Sequence, residues 1–377
     1  MNSRQRVIKA LSHQEPDMVP IDMGSTENTT VTRIAYVNLR EYLGMAEDPQ
    51  PYIINRMMDA VYPADDLLRH YQVDFKPVRP SSAYQANIRE MPDDSFYDEM
   101  DIRWKKAGHY YDMVENPMRK LSLEQALRAR MPDPKAAGRL EGLREQTRRL
   151  SENTDSAIVV GHIMWGPFEL SCALRGYDQF LMDLALDTRY AEAMLDRNLE
   201  LAIGFWDAYL TQVGDLVQVC AQGDDLGMQT STIISPEMYR RFIKPRHKQL
   251  FGFIRSKTQA RIFLHSCGSV YDLIPDLIES GVEILSPVQF TAAKMDLASL
   301  KKDFGGELTF WGGGTDTQHF LPRASVAQIR DQVSMIFDIM APGGGFVFVP
   351  VHNIQADIAP ESVDAIYQTA LEKRKYD

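Results

Sequence analysis

Residues 261–285 read RIFLHSCGSVYDLIPDLIESGVEIL and contain one strand–helix–strand unit. Short apolar runs stand at residues 261–264 and 282–285, and Gly281 occupies the place where the glycine of a helix C-cap is expected. Continuous apolar runs of this length are typical of strands that are buried on both faces, as in parallel sheets. The stretch therefore predicts two parallel strands that are joined by a helix.

The same alternation of strand and helix continues through the C-terminal part of the chain. The β-rich runs are residues 157–160, 216–220, 261–264, 282–285, 308–311 and 346–349. Between two of them, Ser235-Pro236-Glu237 provides an N-cap, a proline in the first turn and an acidic residue, as helix starts do. An α/β fold is predicted, with a single (β/α)8 TIM barrel as the first choice and a doubly wound parallel sheet as the alternative.

The N-terminal part of the chain lacks this regularity. The predicted organisation is one domain over residues 1–377, in which residues 155–377 are the clearest barrel portion and the proline-rich residues 1–120 form an irregular N-terminal extension. This extension is expected to act as a lid or pocket wall. The elements predicted in the irregular part are a helix at residues 3–13, an antiparallel pair at residues 100–105 and 109–115, and an exposed helix at residues 122–151.

Composition and charge exclude several classes of protein. Of the 377 residues, 44% are hydrophobic and 25% are charged, so the chain is too apolar to be disordered. The net charge of -11 argues against a nucleic-acid or anionic-membrane partner, and no apolar stretch approaches the ~20 residues of a membrane span. Cys172, Cys220 and Cys267 are too scattered for a disulfide framework, and no signal peptide is recognised. A cytoplasmic protein is therefore expected.

The sharpest candidate site is His265-Ser266-Cys267-Gly268, which follows the run at residues 261–264. In either α/β architecture the site is expected at the carboxyl ends of the strands. Residues i and i+2 of an extended segment point the same way, so His265 and Cys267 could bind one metal ion, and both side chains are preferred zinc ligands. The alternative is a buried histidine and a buried cysteine in a core strand.

Two further strand ends carry polar side chains. Asp224 and Asp225 follow the run at residues 216–220, where a carboxylate could bind a cation, orient a substrate hydroxyl or act as a general acid. The alternative is a solvated turn, and at most one of the two is expected to enter the site because neighbouring side chains of an extended segment point apart. His352 follows the last run and is either a third zinc ligand, a hydrogen-bond donor or a packing residue.

Other pocket candidates share a position near the end of a predicted strand. They are His162, Gln289, Asn353 and Asp316, the last of which follows Gly312-Gly313-Gly314. Glycines there allow a close approach of the backbone. The histidines on predicted helices or polar segments, which are His13, His70, His109 and His247, are expected to be structural or at the surface.

A set of short motifs is distributed over the whole chain. The motifs are residues 15–20, Gly166-Pro167-Phe168-Glu169 with Leu174-Arg175-Gly176-Tyr177, residues 223–227 with 234–237, His265-Ser266-Cys267-Gly268, residues 312–318, residues 343–346 and residues 352–355. Together they resemble the uroporphyrinogen decarboxylase superfamily, and most closely its corrinoid-dependent methyltransferase branch. The resemblance implies a (β/α)8 barrel.

The resemblance also implies a metal site. Members of the methyltransferase branch bind zinc through an H-x-C pair and a distant third ligand; His265 and Cys267 match the pair, and His352 falls where the third ligand is expected. Gln289 stands where related zinc methyltransferases carry a glutamate. The corrinoid-binding sequence D-x-H-x-x-G is absent, which implies that the corrinoid is carried by a separate partner protein.

The activity implied by the resemblance is methyl transfer. Residues 20–28 lack the arginine-rich segment with which the decarboxylase branch holds substrate carboxylates. The expected function is zinc-dependent transfer of a methyl group from a small donor, an O-methyl compound, to a separate corrinoid protein, with Asp224 or Asp225 assisting protonation. The alternatives are transfer from the corrinoid protein to tetrahydrofolate or a thiol, and a cofactor-free decarboxylase of the porphyrinogen type.

Overall fold

The N-terminal third of the chain folds into short helices and two small antiparallel sheets. The structure, a computed structural model, describes residues 1–78 and 88–376. Its first elements are α1 (Ser3–Ala10), β1 (Val31–Thr32), α2 (Arg33–Tyr42), β2 (Tyr52–Asn55), β3 (Ala60–Tyr62), α3 (Asp65–His70), β4 (Phe75–Pro77), β5 (Arg89–Glu90), β6 (Phe96–Tyr97), β7 (Arg103–Ala107) and β8 (Tyr110–Glu115). Strands β1–β3 form one sheet and β5–β8 form the other, in which β7 and β8 are the predicted antiparallel pair.

Helices and strands alternate over the rest of the chain. The helices are α4 (Leu123–Arg128), α5 (Leu143–Asn153), α6 (Pro167–Arg175), α7 (Tyr177–Leu186), α8 (Thr188–Val213), α9 (Pro236–Met238), a π-helix (Tyr239–Ile243), α10 (Lys244–Lys257), a 3-10 helix (Tyr271–Leu273), α11 (Ile274–Ser280), α12 (Leu297–Phe304), α13 (Val326–Met340) and α14 (Pro360–Lys373). The strands are β9 (Ala157–Trp165), β10 (Val219–Gly223), β11 (Arg261–His265), β12 (Ile284–Ser286), β13 (Thr309–Trp311) and β14 (Phe346–Val347). Within the described residues, no helix combines the length and apolar character that crossing a bilayer requires.

Several predicted bounds differ from the observed ones. The single helix predicted over residues 122–151 is wrong, because Pro132 and Pro134 interrupt the segment and leave α4 and α5 as separate helices. Helix α1 ends before the predicted residue 13, where His13 has a left-handed φ of 53°. Strand β10 begins three residues later than predicted, so that Asp224 follows it directly.

Seven parallel strands curve into a barrel, and the segment around Ile21 fills the remaining gap. The strand order is β14-β13-β12-β11-β10-β9-β4. Ile21 forms a parallel bridge to Phe348, next to β14, and its carbonyl accepts the N–H of Asp74, next to β4, at 2.9 Å. Both edges of the sheet therefore meet at Ile21, which confirms the predicted barrel and not the doubly wound alternative.

Alternate residues of the barrel strands point to the barrel interior. Phe75, Phe263 and Trp311 belong to an inner apolar cluster, in which the Trp311 ring lies 4.4 Å from Phe75 and 5.3 Å from Phe263 between centroids. Leu264, the neighbour of Phe263, belongs instead to the outer core. Because side chains alternate along a strand, His265 follows Phe263 onto the inner side, at the carboxyl end of β11.

Candidate metal centre

His265, Cys267 and His352 come together at the carboxyl end of the barrel. Their ligand atoms all lie within 4.8 Å of one another, and His265 Nε2 lies 3.4 Å from Cys267 Sγ. Zn–N distances of about 2.0 Å and Zn–S distances of about 2.3 Å place the ligands of one ion within roughly 4 Å of each other. Small side-chain rotations would therefore bring all three ligand atoms onto one ion.

The electrostatic environment of this group suits a cation that binds nitrogen and sulfur. Burial, together with the nearby imidazoles, lowers the pKa of His265 well below its usual value, and burial also lowers the pKa of His352. Both rings are therefore neutral, which is the form that binds metals. Burial and the carboxylates of Asp225 and Glu169 raise the pKa of the Cys267 thiol, so a bound cation would be needed to stabilise the thiolate. One thiolate and two imidazoles fit Zn²⁺.

Asp225 lies beside this group. Its Oδ1 accepts the N–H of Cys267 at 2.9 Å and lies 3.9 Å from His265 Nε2. Desolvation raises the pKa of Asp225 to about 6, and desolvation and the charges of Asp225 and Asp224 raise the pKa of Glu169 well above its usual value. Glu169 accepts the N–H of Asp225 at 3.4 Å. The sequence analysis did not single it out, although it stands in one of the family motifs at the start of α6.

Asp224 faces away from the metal group. Its fully buried carboxylate accepts the N–H groups of Phe168 (3.3 Å) and Glu169 (2.6 Å), which begin α6. His247 Nε2 lies 2.8 Å from Asp224 Oδ2, and His247 Nδ1 lies 3.0 Å from the Tyr239 hydroxyl. Asp224 therefore holds the start of α6 and the buried face of α10 against the end of β10, and His247 has a structural position.

Replacing Asp224 with asparagine is expected to lower the free energy of unfolding by about 1–3 kcal/mol, because at least one buried N–H loses its acceptor. Zinc content should not change, since Asp224 is turned away from the metal group. Chemical denaturation and metal analysis measure the two effects. The matched change Asp225→Asn should give the reverse profile, with little loss of stability and lower activity; zinc loss in Asp224→Asn would place this residue in the metal centre.

The remaining predicted site residues have different surroundings. Gln289 Oε1 accepts the N–H of Gly268 at 2.8 Å and so holds the turn that follows Cys267. Asn353 is buried next to His352, with its Oδ1 2.7 Å from His352 Nδ1. Asp316 accepts the N–H groups of residues 318–320, which makes it the cap of a local turn. The structure therefore does not bring Asp316 to the metal group.

His162 connects the metal group to a cavity. Its ring lies 5.5 Å from that of His265, and its Nδ1 lies 3.2 Å from Glu27 Oε2. Burial raises the pKa of Glu27, but the interaction with His162 outweighs it and leaves the pKa lowered. His162 Nε2 is buried and has no hydrogen-bond partner among the described residues. Glu27 was not predicted as a site residue.

The cavity lies between the end of β9 and the N-terminal sheets and has a volume of about 1020 Å³. Its lining includes Glu27, Tyr52, Phe96, Tyr111, His162, Trp165 and Gln355. Apolar and aromatic side chains therefore alternate with a few polar groups, as in binding sites for small molecules. Because β2, β6 and β8 contribute to the lining, the N-terminal extension forms part of the cavity wall.

Comparisons with known proteins place this architecture in a family. A solved methyltransferase from Methanosarcina mazei has a similar fold, with a TM-score of 0.68, 20% sequence identity and coverage of 99% of both chains. Endo-glycoceramidase II from Rhodococcus sp. aligns over 92% of this chain and 76% of its own, with 11% identity and a TM-score of 0.37. No curated protein matches the sequence. The family profile named uroporphyrinogen decarboxylase (URO-D) matches residues 100–372. Because this match covers well over half of the chain, the protein belongs to the uroporphyrinogen decarboxylase family.

Proposed function

We propose that this chain is a zinc-dependent methyltransferase that moves a methyl group from a small donor, an O-methyl compound, to a corrinoid held by a separate protein. The observation that carries the proposal is the group of one thiol and two imidazoles at the carboxyl end of the barrel. The adjoining cavity offers space for the donor. Family membership and the fold shared with a methyltransferase are consistent with this chemistry.

The metal would overcome the inertness of the donor. An ether transfers its methyl group slowly because the oxygen that is left behind is a poor leaving anion. Zn²⁺, held by His265, Cys267 and His352, would act as a Lewis acid on the donor oxygen and stabilise its developing charge. One thiolate and two neutral imidazoles would leave the bound ion with a net positive charge, which favours an alkoxide or phenolate product.

The residues of the chain would position the donor and deliver a proton. The methyl–oxygen bond breaks with its electron pair remaining on oxygen, which then takes a proton; Asp225, beside His265, is the proposed donor of that proton. His162 is proposed to contact the substrate because it lines the cavity, whereas Gln289 holds the turn after Cys267. The corrinoid protein would dock at the carboxyl end of the barrel. The free thiol of Cys267 suits a reducing cytoplasm.

The proposal is tested by metal analysis and by a transfer assay. Purified protein is expected to contain about one zinc per chain, in line with a single three-ligand site. A panel of methyl ethers is then incubated with protein and free cob(I)alamin, and the visible absorbance of the corrinoid is followed. A change that requires donor and protein, is lost on chelation and returns with Zn²⁺ would support the proposal. Protein without zinc would overturn it, and transfer only from methylcobalamin to tetrahydrofolate or a thiol would indicate the reverse reaction.

A further inference from the structure

We propose that Tyr110, on the N-terminal β-sheet, orients the metal ligand His352 through Asn353, so that the N-terminal extension completes the metal centre. This inference rests on the proposed metal site. It adds a positioning role for two side chains that do not themselves reach the ion.

The side-chain oxygen of Asn353 collects three polar neighbours. It lies 2.7 Å from His352 Nδ1, 2.7 Å from the Tyr110 hydroxyl and 2.8 Å from Gln355 Nε2. Asn353 is only 1% exposed, so water does not replace these partners. Its Nδ2 points instead at the sulfur of Met58, a weak acceptor at 3.6 Å. An amide oxygen accepts and cannot donate, and therefore all three neighbours must donate to it.

This arrangement selects one tautomer of His352. If His352 Nδ1 donates to Asn353, Nδ1 carries the proton and Nε2 of the neutral ring keeps its lone pair. The lone pair on Nε2 is then available to a metal ion. Partners of this kind fix ring orientation and tautomer in metal sites in general.

Tyr110 brings the N-terminal sheet into this arrangement. It is the first residue of β8 and lies 243 positions from Asn353 along the chain. Burial raises the pKa of its hydroxyl well above the usual value, so Tyr110 is a neutral donor. The neighbours His109 and Tyr111 line the cavity. The strand that forms the cavity wall is therefore hydrogen-bonded to the residue that orients His352.

The first test is a set of zinc affinities measured by competition with a chromophoric chelator. Tyr110→Phe should weaken zinc binding about tenfold and Asn353→Leu by about 10–100-fold, the range for partners of metal ligands. Asn353→Asp should keep nearly full affinity because it retains the acceptor oxygen. Tyr110→Phe should have no further effect in the Asn353→Leu background, since Tyr110 acts through Asn353. Tyr97→Phe is the control, because it removes a hydroxyl from the same sheet that bonds only to the exposed Glu115.

The second test needs no metal. Nitrogen NMR of metal-free protein with labelled histidine should show His352 protonated on Nδ1, with its resonance assigned by loss in His352→Gln. Tyr110→Phe should increase the population of the other tautomer, a change that general loss of stability does not produce. Unchanged affinity and tautomer in Tyr110→Phe, or additive losses with Asn353→Leu, would overturn the inference. A wild-type protein that binds no zinc would instead overturn the proposed function, while the tautomer still reports on Tyr110.

Discussion

Replacing Cys267 with alanine is expected to abolish zinc binding and, with it, methyl transfer. Cys267 supplies the only sulfur among the three ligand atoms that lie within 4.8 Å of one another. Its loss would leave two neutral imidazoles, which bind Zn²⁺ far more weakly than a set that includes a thiolate. The loss should therefore exceed the ~10–100-fold effect typical of residues that only support a ligand. Zinc content after dialysis and the donor-dependent corrinoid assay measure the result.

Cys220→Ala is the matched control for this change. Cys220 is fully buried in β10 and belongs to the outer core, away from the metal group. Its replacement should lower the free energy of unfolding by about 1–2 kcal/mol through lost packing and leave zinc content unchanged. Equal zinc content in Cys267→Ala and Cys220→Ala would rule out Cys267 as a ligand and with it the proposed mechanism.

The regular part of the barrel could be predicted from local patterns, whereas its closure could not. The run at residues 261–264 is apolar throughout, because β11 is buried on both faces, and its strand was therefore recognisable. Strand β4 is only three residues long and contains Lys76 and Pro77, which obscure the pattern. The closing segment at Ile21 forms a single bridge and is held by contacts to residues 74 and 348. Such distant contacts leave no periodic pattern in the sequence.

The candidate site divides in the same way. His265 and Cys267 are two residues apart on one strand end, so strand geometry alone predicts that they meet. His352 joins them only when the barrel closes, and the family resemblance was needed to suggest it. Glu27 and Tyr110 come from the irregular N-terminal part and reach the site across the carboxyl end of the barrel. Their roles depend on tertiary contacts, which a single sequence does not reveal.

Replacing Gly268 with alanine is expected to destabilise the protein and to lower zinc affinity together. Gly268 has a left-handed φ of 81°, and an added Cβ would lie 2.5 Å from the carbonyl carbon of Gly227 and 2.7 Å from the backbone N and O of Met228. Backbone atoms cannot rotate away as a side chain can. Positive-φ strain and overpacking together predict a loss of roughly 2–5 kcal/mol in the free energy of unfolding.

Zinc affinity should fall with stability because the two touching loops carry the metal site. Cys267 N–H bonds to Asp225, and Ser269 N–H bonds to Met228 at 2.7 Å, so separating the loops displaces the thiol. Gly252→Ala is the control: Gly252 lies in α10 with open space around it, and alanine there should stabilise the protein by about 0.8–1 kcal/mol. Thermal unfolding and chelator competition measure both variants. If Gly268→Ala were as stable as wild type and kept its zinc, the close packing of these loops would not be what holds Cys267 in place.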